Sequence, residues 1–292
     1  MKIRDGNELL ALENNKFFGK PAKLIKSSIT FNGENNILIC EEGVILKKCH
    51  IRFNLNNSIL YLSSSNHEYK VNIHLNNNNT CVIGKNCYFN GKTKIFLSEE
   101  KNVIIGNNCL FSGGIYFRVA DPHLIYSSES LKRINPTKSI YVGDHVWIGQ
   151  DSLILKGCKI GSGSIIGAGS ILSNKEVPSN TIFAGNPAKL IKKDIFWDGQ
   201  SVHAWTNEDT KKMENYNSTQ YIFDFDNQTC DFDEIEDELN RIDNVDDKLE
   251  FIQNNIIGDF KNRFFIGNKL KTPQKLQINT LALINTIFNK LK

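Results

Sequence analysis

The stretch "VGDHVWIGQDSLILKGCKIGSGSIIGAGSIL", residues 142–172, carries an aliphatic side chain at every sixth position: Val142, Ile148, Ile154, Ile160, Ile166 and Leu172. A helix repeats about every 3.6 residues and a strand every second residue, so this spacing is neither amphipathic pattern. Glycines at 143, 149, 161 and 167, each directly after an anchor, are too dense for a helix. If six residues make one short strand and a corner, three such units make a triangular coil with one aliphatic side chain inward from each wall. The chain then climbs about 4.8 Å per coil and bonds its backbone to the coil below. The expected fold is therefore mainly β, a hexapeptide-repeat parallel β-helix.

Working outward, the period returns upstream in pieces. It spaces Ile39, Ile45 and Ile51; then Ile83, Phe89 and Ile95; then Ile105, Phe111 and Phe117. The asparagine-rich residues 55–80 lose the strict sixes and read as irregular coils. Residues 118–139, "RVADPHLIYSSESLKRINPTKS", hold no six-residue pattern and form an excursion loop, which inside a regular solenoid points to function. The repeats stop after "TIFAGNPAKLIKK". Residues 1–30 are expected to cap the first coil with a short helix, 31–195 to form the β-helix domain, and 196–292 to form a mostly α region. In the last region a helix is expected from Thr272-Pro273, with an apolar stripe at Leu281, Ile284, Phe288 and Leu291.

Composition narrows the class. An apolar fraction of 40% and a charged fraction of 23% fit a soluble globular chain, and a net charge of +3 is too mild to indicate nucleic acid. The N-terminus lacks a secretory apolar core and no window approaches a membrane span, so the expected location is cytoplasmic. The seven cysteines contain no Cys-x-x-Cys pair. Cys49, Cys87, Cys109 and Cys158 each follow an aliphatic anchor by four residues, the slot that Ser152, Ser164 and Ser170 also occupy. They are expected to pack at crowded corners as reduced thiols, with no metal bound.

Three features outside the repeats carry chemistry. His123 is the only histidine of the excursion loop and suits a general base, with Asp121 near enough in sequence to orient its ring. Trp147 fills the last slot of a repeat, at a corner, where its ring would cover a groove or an interface. "AGNPAKLIKK" ends the solenoid with a turn and then Lys189, Lys192 and Lys193, a setting for a polyanion such as the phosphates of a nucleotide-like cofactor.

Taken together, "DPHLIY", "VWIGQDSLILKGCKIGSGSIIGAGSIL" and "AGNPAKLIKK" resemble the left-handed β-helix O-acetyltransferases, over roughly residues 83–193. That group includes galactoside, maltose and xenobiotic acetyltransferases and the sialic acid and capsular polysaccharide O-acetyltransferases. The resemblance implies a left-handed helix, a homotrimer and acetyl-CoA lying between adjacent solenoids. It implies that His123 takes the proton of the acceptor hydroxyl and that Trp147 positions the thioester. Gln150, Ala168, Ser173, Gly185, Lys189 and Lys192 fall at the matching acetyl-CoA positions. Two departures bear on the acceptor: Pro122 precedes the histidine where several relatives carry Gly or Asn, and the region after residue 195 is additional.

For the acceptor, Lys132, Arg133 and Lys138 on the loop favour a carbohydrate that is acidic, such as a sialic acid, its polymer or a capsular polysaccharide. Two other readings remain open at this point. One is an acyl-carrier-protein-dependent acyltransferase of the lipid A type. The other is a non-enzymatic β-helix assembly module docking through its C-terminal region. A γ-class carbonic anhydrase needs three histidine ligands, and only His123 and His145 lie in the right region. Lysines 271, 275, 290 and 292 around the last apolar stripe allow a peripheral membrane or capsule-assembly contact.

Overall fold

Each coil of the chain visits three walls in turn, and strand pairing stacks like positions from coil to coil. A computed structural model describes residues 1–267 and shows a left-handed parallel β-helix built from two eight-stranded sheets, a six-stranded sheet and a two-stranded one. The first face carries Lys16–Gly19, Ile37–Cys40, Ile59–Leu62, Thr80–Ile83, Asn102–Ile105, Ile140–Val142, Lys159–Ile160 and Glu176–Val177. The second carries, among others, Tyr88–Phe89, Leu110–Phe111, Trp147–Ile148, Ile165–Ile166 and Ile182–Gly185. The third runs from Ser28–Phe31 through His50–Phe53, Val71–Leu75, Thr93–Phe96 and Tyr116–Arg118 to Leu153–Leu155 and Ile171–Leu172.

The sixth-position anchors of 142–172 all point inward and are buried, as are Ile83, Phe89, Ile95, Ile105, Phe111 and Phe117. Phe89 stacks on Phe111 with ring centroids 4.9 Å apart, so the second face holds an aromatic column below its aliphatic one. Removing one such buried side chain costs about 2–5 kcal/mol, because the stacked coils cannot close the hole. Ile39 and Ile45 are corrections. Cys40 and Leu46 take the inward places, while Ile39 points outward beneath the C-terminal region.

The asparagine-rich coils are regular after all, contrary to the reading of 55–80. On the third face Ile29, Ile51, Ile73, Ile95 and Phe117 stand opposite one another at intervals of 22 residues, and Ile154 and Leu172 at 18. The difference sits mainly at the corner between the third and first faces. It holds five residues at 54–58 and 97–101 but three at 156–158 and 173–175. The longer corner needs a left-handed backbone residue, which asparagine supplies more easily than most: Asn35, Asn57 and Asn78 have φ of 54°, 58° and 50°. Their side chains then bond up the stack, as where Asn35 Nδ2 donates to Asn57 Oδ1 at 2.8 Å. The excursion loop leaves from this same corner, where the long coils give way to short ones.

Cysteine and serine share a corner slot for a hydrogen-bonding reason. Cys87 and Cys109 thiols donate to the carbonyls of Gly106 and Gly143 on the next coil, each at 3.2 Å. Ser152 and Ser164 hydroxyls donate in the same way to Gly167 and Pro178. Burial pushes the Cys49 and Cys158 thiols up to about 11, which leaves them inert packing groups.

At the N-terminus, a 3-10 helix at Gly6–Ala11, capped by Asp5, buries Leu9 against the core. Parallel pairing already begins at Lys16–Gly19, inside the stretch expected to be only a cap. Beyond residue 195 the chain is less helical than expected. It forms α1 (Asn207–Lys212), α2 (Phe232–Arg241) and α3 (Val245–Asn255), joined by irregular segments. Capping by Asp231 and Asn244 starts α2 and α3, and Phe232, Ile235, Leu239, Leu249 and Ile252 make a buried stripe at helical spacing.

That stripe covers the outward side of the first face, where Ile37, Ile39, Ile59, Tyr61, Val82, Ile104 and Tyr141 point. With both sides buried, these strands read as continuous apolar runs. The acidic block of 224–250 answers lysines of the solenoid: Asp246 pairs with Lys16 and Glu236 with Lys101 at 3.4 Å, while Asp233 pairs with Lys159. It is thus engaged within the chain. A buried latch completes the docking. Arg263 donates from Nε and Nη2 to the Asp144 carboxylate at 2.9 and 2.7 Å, and from Nη1 to the Ile256 carbonyl. The expected helix from Thr272, its apolar stripe and the four flanking lysines lie outside the described residues. Among those described, no helix is long and apolar enough to cross a membrane.

Candidate active site

The second face collects most of the residues singled out beside Trp147. Register places Trp147, Ile165, Ile182 and Lys192 in one outward column across successive strands. Three strand spacings make that column about 14 Å long. Next to it, at the exit corner toward the third face, Gly169 N–H donates to the Gln150 carbonyl at 2.7 Å and Gly185 N–H to Ser170 Oγ at 3.1 Å. Gln150, Ala168 and Gly185 are therefore exposed on successive coils of one corner. The chain reverses after Gly185, and Ala188–Lys192 returns antiparallel, setting Lys189 opposite Ala184. Aromatic ring, amide, small corner residues and terminal lysines form one continuous strip.

The approach of coils in this strip leaves no room for a side chain at Gly149. A β-carbon there would lie 2.5 Å from the Ala168 nitrogen, which explains glycine directly after Ile148. Trp147 is 38% exposed, and its Nε1 donates to Ser112 Oγ at 3.4 Å. Behind it lies a group that sequence reading missed. The His145 ring is sandwiched between Trp197 at 3.9 Å and Tyr221 at 4.2 Å, and Trp197 in turn stands 6.0 Å from Trp147. Burial holds the His145 pKa below its ordinary value, partly offset by the bond between its Nε2 and the Trp197 carbonyl. The C-terminal region thus buttresses the tryptophan. Only the aromatic richness of 196–223 hinted at it.

Ser173 is not part of this strip. It follows Leu172 at the corner between the third and first faces, the next corner along the coil. His123 also belongs to that edge. The excursion loop folds as a hairpin closed by a bridge between Tyr126 and Arg133, with Ser127 N–H donating to the Lys132 carbonyl at 2.9 Å. Buried Asn135 secures its base by donating from Nδ2 to the His123 carbonyl at 2.8 Å and to Asp121 Oδ2 at 3.1 Å.

Asp121 does not orient the His123 ring. Its carboxylate accepts from Lys156 Nζ at 2.6 Å, and that bond, with the one from Asn135, holds its pKa below the usual carboxylate value. The exposed His123 side chain has no hydrogen-bond partner among the described residues. Of the three loop cations, Arg133 is paired with Glu99 through Nη2 at 2.9 Å, and Lys138 donates to Asn174 Oδ1 at 2.7 Å. Lys132 is exposed with no acidic partner among the described residues. A single chain therefore sets His123 and Trp147 on different edges of the prism. No three His, Cys, Asp or Glu side chains among the described residues form a metal-ligand group.

Comparison with known proteins agrees with this construction. Residues 139–174 match the family model described as bacterial transferase hexapeptide (six repeats). The polysialic acid O-acetyltransferase of Escherichia coli is 41% identical over 104 residues, which cover 36% of this chain and 33% of that protein. The polysialic acid O-acetyltransferase of Neisseria meningitidis is 41% identical over 103 residues, covering 35% of this chain and 48% of that protein. The matched stretches thus span less than half of either relative. The crystal structure of the polySia-specific acetyltransferase NeuO aligns with a TM-score of 0.59 at 31% identity, over 68% of this chain and 93% of that one. The chain belongs to the hexapeptide-repeat acetyltransferases of the left-handed β-helix fold.

Proposed function

We propose that the protein is an acetyl-CoA-dependent O-acetyltransferase acting on a hydroxyl of an acidic carbohydrate, a sialic acid, its polymer or a related capsular polysaccharide. The observation that carries this reading is the strip on the second face. Trp147, Gln150, Ala168, Gly185, Lys189 and Lys192, chosen from scattered parts of the sequence, fall into two adjacent columns that end in cations. Such a strip suits a flexible apolar-amide arm with phosphates at its far end. The named activity of the two bacterial relatives supports the acceptor class.

The chemistry needs few protein groups. His123 takes the proton from the acceptor hydroxyl as its oxygen forms a bond to the thioester carbonyl carbon. The carbon–sulfur bond then breaks, and the proton returns from the imidazole to the leaving thiolate. Trp147 keeps the thioester against the second face. No acyl-enzyme is required.

We further infer a homotrimer in which the loop of one copy reaches the second face of its neighbour. Two features support it: His123 and Trp147 occupy different edges, and the hairpin exposes Leu124, Ile125, Tyr126, Leu131 and Ile134. The apolar stretch waits for a partner surface, and a cytoplasmic location suits use of acetyl-CoA.

The deciding experiment incubates purified protein with labelled acetyl-CoA and a panel of sialylated, uronic and neutral glycans, with sedimentation measured in parallel. Base-labile acetyl esters on acidic glycans are expected, from a species of three chains. Transfer only to neutral glycans would remove the acidic acceptor, and absence of transfer to any hydroxyl would remove the enzymatic reading.

A further inference from the structure

The third face of the N-terminal coils is neither covered by the described part of the C-terminal region nor used by the strip around Trp147. Strand register gives it two outward columns. One runs Arg52, His74, Phe96 and Arg118; its neighbour runs His50, Asn72, Lys94 and Tyr116. The His74 ring stacks on Phe96 at 4.4 Å and 11°, and Phe96 meets Tyr116 edge-on at 5.1 Å. Lys94 Nζ and the Arg118 guanidinium stand 5.7 and 5.9 Å from the Tyr116 centroid. Neither column holds a carboxylate, and Arg52, Lys94 and Arg118 have no acidic partner among the described residues. The positive field is felt locally: burial first, then Lys92, Lys2 and Arg52, hold His50 below its ordinary pKa.

The columns lead somewhere. From Arg52 to Arg118 they cover three strand spacings, about 14 Å. Beside the first column, from the Arg52 coil to the Arg118 coil, runs a cleft of about 360 Å³ lined in part by Asn54, His74, Phe96, Glu99, Arg118 and Pro122. The next residue is His123.

We propose that this face is an extended track for an anionic polysaccharide, binding carboxylated sugar residues remote from the one that reacts. The edges of the stacked His74 and Phe96 rings and the neighbouring Tyr116 ring offer apolar surface to sugar rings. Arg52 and Lys94 stand two coils apart and Lys94 and Arg118 one, so the three cations answer carboxylates at spacings comparable to two and one pyranose units. The track rests on the acidic-acceptor reading above and adds to it a preference for long chains over short ones.

The test uses the full chain, with long-chain polysialic acid and the sialic acid dimer as probes. The variant is the exposed pair Arg52→Glu with Lys94→Glu, and Arg52→Gln with Lys94→Gln serves if the first melts early. The KM for the long chain should rise about tenfold with kcat unchanged, and turnover of the dimer should not move. Affinity electrophoresis without acetyl-CoA should show weaker retention by the polymer, and salt should abolish the difference.

Unchanged long-chain KM and retention in a variant with native melting would overturn the track. So would equal affinity of the wild type for long chain and dimer. Polymer retention that the variant loses, without acetyl transfer by the wild type, would keep the track and remove the catalytic reading. Transfer to short sugars without polymer retention would do the reverse.

Discussion

Replacing Arg263 with methionine should detach the C-terminal region from the solenoid. Arg263 and Asp144 are 4% and 9% exposed at their side chains, so solvent does little to screen them. The guanidinium makes two bonds to the carboxylate and one to the Ile256 carbonyl, and it lies 4.5 Å over the Phe264 ring. Without it, Asp144 keeps the Asn107 N–H at 2.6 Å, which cannot neutralise a buried charge. Breaking a buried pair from one side costs about 3–5 kcal/mol, mostly because the remaining ion is stranded. Methionine preserves much of the arginine stem's packing, so the loss should fall in that range and not above it. Removing both charges in Asp144→Asn with Arg263→Met should restore most of it, since an apolar replacement of a whole pair is nearly neutral.

The assay is a double-mutant cycle by urea unfolding, paired with limited proteolysis of residues 196–267. Cleavage there should accelerate in the single variant while the solenoid stays intact. A single-variant loss below about 1 kcal/mol, or strict additivity in the double variant, would refute the latch.

Other outcomes follow from the same geometry. His123→Ala should lower kcat by about 10²–10⁴-fold without changing the melting temperature, because the ring is exposed and unbonded; an unchanged rate would remove it as the base. Trp147→Ala should raise the KM for acetyl-CoA more than that for the glycan, as measured in initial-rate series on each substrate. Gly149→Val should cost about 1–3 kcal/mol or prevent folding, since its β-carbon would meet Ala168 backbone at 2.5 Å; native melting would show that the coils can separate.

The pH dependence of stability has a predicted sign at His145. Its folded pKa is depressed, so below about 6.5 the unfolded chain takes up a proton that the folded sandwich refuses. Its contribution is present above that value and is lost as pH falls through it. Melting from pH 7.5 to 5 should therefore fall more steeply in the wild type than in His145→Asn, and equal slopes would contradict the assignment.

How much of this was readable in the residues depends on how local each feature is. The inward anchors of 142–172 are fixed by a six-residue period, and every one is buried. Upstream, the true spacing alternates sixes with a longer step across the asparagine corner, so a search for uniform sixes slips. That slip put Ile39 and Ile45 in places belonging to Cys40 and Leu46. The strip from Trp147 to Lys192 was named from the family resemblance, and its parts meet because Gln150, Ala168 and Gly185 lie one coil apart, at steps of 18 and 17 residues. The partners of the loop were not legible. Lys156 and Asn135 meet Asp121 across 35 and 14 residues, and no local pattern reports such a pairing. His145 entered only as one of two histidines too few for a zinc site, and its sandwich needed Trp197 and Tyr221, 52 and 76 residues away, to come back over it.

The change in coil length explains why the loop sits where it does. Below it, the five-residue corner projects far enough for Glu99 to reach Arg133 and to accept a hydrogen bond from Thr137 Oγ1. Above it, the three-residue corner is tight and brings Lys156 close to the wall, where it binds Asp121, while Asn174 one coil higher receives Lys138. The hairpin is thus gripped from a wide corner on one side and a narrow corner on the other, so its base is stiff although its tip is exposed. On the proposal that His123 is the general base, these contacts position its backbone rather than its ring. This accounts for a His123 that has no orienting acid and an Asp121 that serves the loop's position instead.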